Sequence, residues 1–159
     1  MERQVLAWFA VRDPTLYAPE RCPVYIHEAG PGHERYGFPT LDGATVKVAV
    51  HHEGTTTTAR TVDRAVQRHD LEPVEAYVRH HLAGVEPAAV RGQVCMYTNT
   101  PDRHFIIGSP SGMPAVTVMS CCSGHGFKFS SVLGDVAADL ALTGRTAYPI
   151  DLFSPHRFG

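Results

Sequence analysis

The thiol of Cys95 is a candidate nucleophile, and it lies in a short β-like segment at residues 94–97. Strand alternation places Cys95 and Tyr97 on one face of this segment. A cysteine acts as a nucleophile only as a thiolate, which a nearby base must form. Candidate bases outside the segment are His104, His125 and Lys128. The alternative is a buried, inert thiol, because free cysteines are often packed as small apolar side chains.

A second group of chemically competent side chains lies at residues 46–51. With the two-residue period of a strand, Lys47, Ala49 and His51 share one face, and three valines form the other. Two basic groups therefore share a surface opposite an apolar one. A lysine in such a pattern is usually a solvated surface charge, so a functional and a purely structural interpretation both stay open on these residues alone.

The third segment is a glycine-rich turn, Gly124-His125-Gly126, followed by Phe127 and Lys128 and then by a helix-like stretch. Backbone N–H groups at the start of a helix lack internal partners and favour electron-rich ligands. An ordinary turn before a helix is the alternative. Nowhere does a strand lead into GxGxxG, so the sequence lacks the turn that holds the phosphates of a dinucleotide.

Composition and charge exclude several classes of function. The 159 residues are 43% hydrophobic and 19% charged, which suits one folded domain with a real core. The formal charge of −2 gives no electrostatic reason to expect nucleic acid or a membrane surface as a partner. The cysteines form no CxxC pair and the histidines no HExxH motif, so no metal site is expected. Without an export signal or a disulfide framework, a cytoplasmic location is expected.

Hydrophobic periodicity predicts an α+β fold, with a mixed, largely antiparallel sheet, flanking helices and a C-terminal helix. Helices are predicted at residues 73–82 and 130–142, the second with Ser130 as its N-cap and Gly144 at its end. The apolar stripe of the first helix should cover one face of the sheet. Strands are predicted at residues 3–9, 24–27, 46–51, 90–98, 104–107 and 115–119.

Three blocks, at residues 95–102, 104–107 and 123–129, resemble in order and spacing the C-terminal portion of the monomeric sarcosine oxidase and N-methyltryptophan oxidase family. The similarity extends over nearly the whole chain. It implies that residues 1–159 form the substrate-side, flavin-attachment region of an FAD-dependent amine oxidase. Members of this family oxidise a secondary amine or N-methyl amino acid to an imine and pass the electrons to O2, giving H2O2.

The resemblance also implies a role for each candidate residue. The thiol of Cys95 would attach FAD covalently, and Lys47 would face the flavin and assist the reaction with O2. His51 would lie beside the substrate as the second catalytic residue. The flavin would further be bordered by Gly124, His125, Gly126, Phe127 and Lys128, and the substrate by Tyr36, Tyr97 and Lys128.

The family's dinucleotide-binding half has no counterpart in this sequence, so we expect the chain alone to bind FAD weakly or not at all. We also expect self-association, since a chain that begins inside a domain exposes apolar surface. Two alternatives stay open. One is an inactive truncated fragment, or a non-catalytic module that binds a small ligand or a partner. The other is one subunit of an oxidase whose FAD-binding part is a separate chain.

Overall fold

The computed structural model describes residues 1–28 and 30–158. The chain divides into two compact units, Met1–Met96 and Tyr97–Gly159. The strands are β1 (Glu2–Val11), β2 (Tyr25–Glu28), β3 (Glu34–Phe38), β4 (Thr45–His51), β5 (Thr55–Thr56), β6 (Val85–Tyr97), β7 (Ile106–Gly108) and β8 (Val118–Ser120). The α-helices are α1 (Arg68–His81) and α2 (Ser130–Thr143), and short 3-10 helices cover Pro14–Tyr17, Phe127–Phe129, Asp151–Phe153 and Pro155–Phe158.

Among the described residues, six strands form the larger sheet, in the order β2-β3-β4-β1-β5 with β6 beside β1. β4 lies inside this sheet and pairs antiparallel with β3 and with β1. In this register Lys47 of β4 lies opposite Trp8 of β1 on one side and opposite Phe38 of β3 on the other. One face of the sheet therefore presents a cation between two aromatic side chains.

The other face of β4 is apolar and forms the core of the first unit. Val46 and Val48 are buried there in one cluster with Val74 and Val78 of α1. This packing confirms the apolar stripe predicted for the helix. It also confirms the division of β4 into a valine face and a Lys47 face. The other buried members of this cluster are Ala7, Phe9, Tyr77 and Val85.

In the second unit, β7 and β8 form a two-stranded antiparallel sheet. Val136 of α2 is buried against Phe105 and Ile107, and partly buried apolar residues surround this small core. Gly144 follows the last turn of α2 with a φ of 73°, in the left-handed region that favours glycine. The prediction that α2 ends at Gly144 is confirmed.

The α+β class is confirmed, but the start of α1 differs from the prediction. α1 begins at Arg68, and Pro73 lies inside it rather than at its first turn. Asp70 explains the earlier start, because its Oδ2 accepts a hydrogen bond from the backbone N–H of Gln67 at 2.7 Å and its Oδ1 pairs with Arg3 at 2.6 Å. A carboxylate in the first turn also suits the positive end of the helix dipole.

Four other elements differ from the sequence predictions, and one of them, the two-residue strand β5, is absent from those predictions. β6 begins at Val85, five positions before residue 90, and continues through a proline at position 87. β3 is missing from the predictions because a glycine interrupts its pattern. A Cβ at that glycine, Gly37, would lie 2.4 Å from the Tyr25 ring. Ser130 is the first residue of α2 rather than its N-cap, because a 3-10 helix runs directly into α2 and leaves Phe129 at the cap position.

The remaining predicted strands match the observed ones to within three residues at each end. The predicted single sheet is two separate sheets, since β7 and β8 pair only with each other among the described residues.

Neither α-helix within residues 1–28 and 30–158 combines the length and the apolar character that crossing a membrane requires.

The ion pair between Arg3 and Asp70 predicts how the stability of the first unit depends on pH. Hydrogen bonding to Arg3 holds the pKa of Asp70 below its ordinary value, and the two side chains are only 11% and 8% exposed. A depressed carboxylate pKa stabilises the fold above the unfolded pKa of about 3.9, and this contribution is lost as the pH falls through the folded pKa. We expect Asp70→Asn to lower the free energy of unfolding by about 3 kcal/mol at neutral pH and to weaken its acid dependence.

Urea unfolding followed by the fluorescence of Trp8 measures this effect, because Trp8 is the single tryptophan and lies in the first unit. Glu72→Gln is the matched control. Glu72 lies in the same helix, and its 3.8 Å contact with Arg68 joins side chains that are 60% and 65% exposed. The control should cost less than about 1 kcal/mol. Equal losses in the two variants, or an unchanged acid dependence in Asp70→Asn, would contradict the role given to the pair.

Candidate functional site

Lys47 lies on the face of β4 opposite α1. Its Nζ lies 3.8 Å from the centroid of the Phe38 ring, which is a cation–π contact. Burial lowers the pKa of Lys47 from its ordinary value, and the electrostatic effect of Cys95 acts in the opposite direction. Lys47 is therefore a partly buried cation rather than a fully solvated surface charge.

A cavity of about 420 Å³ opens on this face beside Lys47. Trp8 and Phe38 form part of its wall, and the guanidinium of Arg91 in β6 stacks on Trp8 with Cζ 3.7 Å from the ring centroid. Aromatic and cationic side chains thus alternate across four neighbouring strands, β3, β4, β1 and β6. The other residues that line the cavity are Pro39, Leu41, Asp42 and Thr45.

Trp8, Phe38 and Arg91 are absent from the residues that the sequence analysis selects. Arg91 could have been found, because counting back in steps of two from Cys95 along one strand reaches it. Trp8 and Phe38 carry no such signal. Their place beside Lys47 follows from the register between strands far apart in sequence.

Cys95 lies on β6, and alternation along this strand places it on the same face as Arg91. The residue is exposed and its thiol is free, so the interpretation as a buried, inert cysteine is wrong. Cys95 also acts electrostatically on Lys47, in the direction that raises the lysine pKa. The structure therefore brings together two candidates that come from separate segments of the sequence.

His51 and Tyr36 meet further along the same face of the sheet. Their rings pack edge to face, with centroids 5.8 Å apart and an interplanar angle of 87°. Nε2 of His51 lies 3.9 Å from Oε2 of Glu34, its partner in β3. Tyr36 also packs edge to face against Phe38 at 6.2 Å. A row of ring contacts therefore runs from His51 to the aromatic side chain beneath Lys47.

The glycine-rich turn of the second unit is shaped by close packing. Ser123 has a φ of 50° and Gly124 a φ of 78°, so the chain is left-handed at both. A Cβ on Gly124 would lie 2.7 Å from the Tyr97 ring, and one on Gly126 would lie 1.7 Å from the backbone oxygen of Cys121. The fold itself therefore requires these glycines, and it places Tyr97 against Gly124.

His125 is oriented by contacts within the second unit. Its Nδ1 lies 2.8 Å from the carbonyl oxygen of Ser123, and its ring stacks on Phe105 with centroids 4.9 Å apart. Its backbone N–H donates to the carbonyl oxygen of Cys122 at 3.3 Å. This N–H already has a partner, so it is not one of the donors that the turn could direct at a ligand.

Phe127 and Lys128 are the accessible side chains of this segment. Phe127 is 93% exposed, and Lys128 is exposed with its Nζ 5.2 Å from the Phe129 ring centroid.

Within the part of the chain that the structure describes, no three or more His, Cys, Asp or Glu side chains are grouped so as to hold a metal ion.

The chain is similar in sequence to two kinds of oxidase. Monomeric sarcosine oxidase of Streptomyces avermitilis is 42% identical over 161 residues, which cover 99% of this chain and 42% of that protein. N-methyl-L-tryptophan oxidase of Salmonella newport is 33% identical over 158 residues, which cover 98% of this chain and 42% of that protein. The chain therefore spans less than half the length of these relatives.

Two solved structures share its fold. NikD, an unusual amino acid oxidase essential for nikkomycin biosynthesis, matches with a TM-score of 0.74 at 23% identity and covers 97% of this chain and 41% of its own. L-proline dehydrogenase from P. horikoshii matches with a TM-score of 0.74 at 20% identity. The match covers 98% of this chain and 39% of that protein. The sequence profile of the FAD dependent oxidoreductase family matches residues 4–140. The predicted resemblance is confirmed, and the chain belongs to the family of FAD-dependent oxidoreductases.

Proposed function

We propose that this chain is the substrate-side, flavin-attachment portion of an oxidase that acts on a secondary amine or N-methyl amino acid. One observation carries the proposal: the partly buried cation of Lys47 and the exposed thiol of Cys95 share one open face of the first sheet. The sarcosine and N-methyl-L-tryptophan oxidases among its relatives support the same substrate class. When bound, FAD accepts a hydride from the carbon beside the amine nitrogen and passes the electrons to O2, giving H2O2.

The side chains of the open face suit a flavin. Cys95 offers an accessible sulfur, and we propose it as the covalent anchor. Trp8 and Phe38 provide apolar surface for a planar ring, while their cationic partners Lys47 and Arg91 suit a ring system that gains negative charge. From the family resemblance, we also propose that Gly124, His125, Gly126, Phe127 and Lys128 border a flavin.

Lys47 would serve the reaction with O2 by fixing a positive charge where negative charge develops. A charge acts more strongly in a partly dehydrated site than in water, because less solvent screens it. The burial that lowers the pKa of Lys47 indicates such an environment. The Phe38 ring already orients the ammonium group, so little rearrangement is needed when the charge appears.

The remaining candidates suit the substrate. We propose that His51 and Tyr36 contact it from the first unit, and that Tyr97 and Lys128 contact it from the second. An imidazole and a phenol can each hold or transfer a proton at an amine nitrogen. The exposed ammonium of Lys128 suits the carboxylate of an amino acid, since a charge-assisted hydrogen bond is stronger than a neutral one.

Activity belongs, in this proposal, to an assembly with a dinucleotide-binding part. This sequence contains no GxGxxG turn for the FAD pyrophosphate. That turn would come from sequence outside these residues, on the same or on a separate chain. We propose that this chain alone binds FAD weakly and self-associates. Its four free cysteines support a cytoplasmic location.

Covalent attachment can be tested by acid precipitation. When the chain is combined with an FAD-binding part, we expect flavin to remain with the precipitated protein, because a thioether survives acid denaturation. Cys95→Ala should release the flavin into the supernatant, where its absorbance is measured. Cys122→Ala is the control, since Cys122 is also an exposed free thiol and its loss should leave the flavin with the precipitate. Flavin that precipitates with the Cys95→Ala protein would show a different anchor.

The sequence contains two lysines, Lys47 and Lys128, and the proposal gives each a different half-reaction. We expect Lys47→Met to slow the reaction of the reduced enzyme with O2 by roughly 100-fold, because a fixed charge is lost where negative charge develops. Anaerobic reduction by substrate should be nearly unchanged. Lys128→Met should instead weaken substrate binding by on the order of a few kcal/mol.

Stopped-flow measurement of the two half-reactions separates these roles, and each variant serves as the control for the other. A variant with both changes should show both defects. Equal slowing of both half-reactions by both single variants would rule out the division between the two lysines.

A further inference from the structure

The rings of His51 and His52 lie against each other, although the two residues are neighbours in sequence. Their centroids are 4.1 Å apart, with an interplanar angle of 59°. Consecutive residues of a regular strand point to opposite faces, so they do not make this contact. His52 follows the end of β4 and has a φ of 58°. This left-handed conformation turns the His52 side chain back toward His51.

A left-handed conformation is unfavourable for a residue that carries a Cβ, and it persists only where the surroundings fix it. Gly54 helps to fix it here, because a Cβ at that position would lie 1.7 Å from the backbone oxygen of Arg3. Glu53 lies between His52 and Gly54 in the sequence, and its carboxylate is paired with the guanidinium of Arg35. The chain is therefore held by close packing and by an ion pair directly after His52.

The carboxylate of Glu2 holds the His52 ring from its other side. Oε1 of Glu2 accepts hydrogen bonds from Nε2 of Gln4 at 2.7 Å and from the backbone N–H of Gly54 at 2.8 Å. Oε2 lies 3.4 Å from Nδ1 of His52. The side chains of Glu2 and His52 are only 12% and 10% exposed. A shielded carboxylate with one oxygen already engaged thus directs its other oxygen at the His52 ring.

We propose that His52 is a positioning residue for His51. Glu2 orients the His52 ring, and the His52 ring in turn fixes the plane of the His51 ring. Tyr36 contacts His51 edge to face at 5.8 Å, so two aromatic partners confine the imidazole. That His51 meets a substrate rests on the proposed function, whereas the confinement of its ring is a property of this chain alone.

Nuclear magnetic resonance of the full chain with nitrogen-15-labelled histidine tests the proposal without flavin or substrate. The ring proton shifts of His51 report the nearby His52 ring, and their cross-relaxation with the Tyr36 ring protons reports the orientation of the His51 ring. His52→Asn is the main variant, because asparagine tolerates a left-handed backbone better than most residues with a Cβ. We expect the His51 ring protons to lose the ring-current shift and the His51 ring to lose its fixed orientation, seen as weaker cross-relaxation with Tyr36.

Glu2→Gln should change the orientation of the His52 ring and therefore shift the signals of both His52 and His51. His69→Asn is the control, because it removes a 79% exposed histidine from α1 and should leave the His51 signals unchanged. If His52→Asn does not fold, His52→Gly removes the same ring and relieves the backbone strain. His51 signals that are identical in the parent chain and in a folded His52 variant would overturn the proposal. That result would leave the proposed oxidase function untouched, since no cofactor enters the measurement.

Discussion

The two-sidedness of β4 is the constraint on which the rest of the structure depends. Its valines are buried against α1, and its basic residues lie on the open face. A shift of one residue in the strand would exchange the two faces and place the charge of Lys47 in the apolar core, at a large cost in free energy. The packing of α1 therefore fixes the direction of Lys47 and His51, although no residue of α1 belongs to the candidate site.

The strands beside β4 then determine the electrostatics of the open face. The Phe38 ring lies under the Lys47 ammonium and orients it, and burial on this face lowers the pKa of Lys47. On the far side of β1, the Trp8 ring holds Arg91 in the same way. Cys95 follows on the strand that carries Arg91, and alternation places the thiol on the same face as that cation.

Local patterns in the sequence predict which residues share a face but not which residues become neighbours. Alternation at residues 46–51 and the stripe of α1 are both confirmed, because each depends on one element with one buried side. The flanking of Lys47 by Trp8 and Phe38 depends on the register between strands that are far apart in sequence. The exposure of Cys95 depends on whether another element packs on its face of β6, which the local sequence does not show. The start of α1 depends on Asp70 and its distant partner Arg3, so Pro73 misleads a purely local prediction.

The titration of Lys47 tests the central claim most directly, namely that Lys47 is a partly dehydrated cation that Cys95 influences electrostatically. Carbon-13-labelled lysine gives two side-chain signals in this chain, and Lys128→Arg assigns them. The account predicts that Lys47 titrates below the ordinary lysine pKa of about 10.4, and that Cys95→Ser lowers this pKa further, because Cys95 acts to raise it. A Lys47 signal that titrates at or above the ordinary value, and does not respond to Cys95→Ser, would contradict the account.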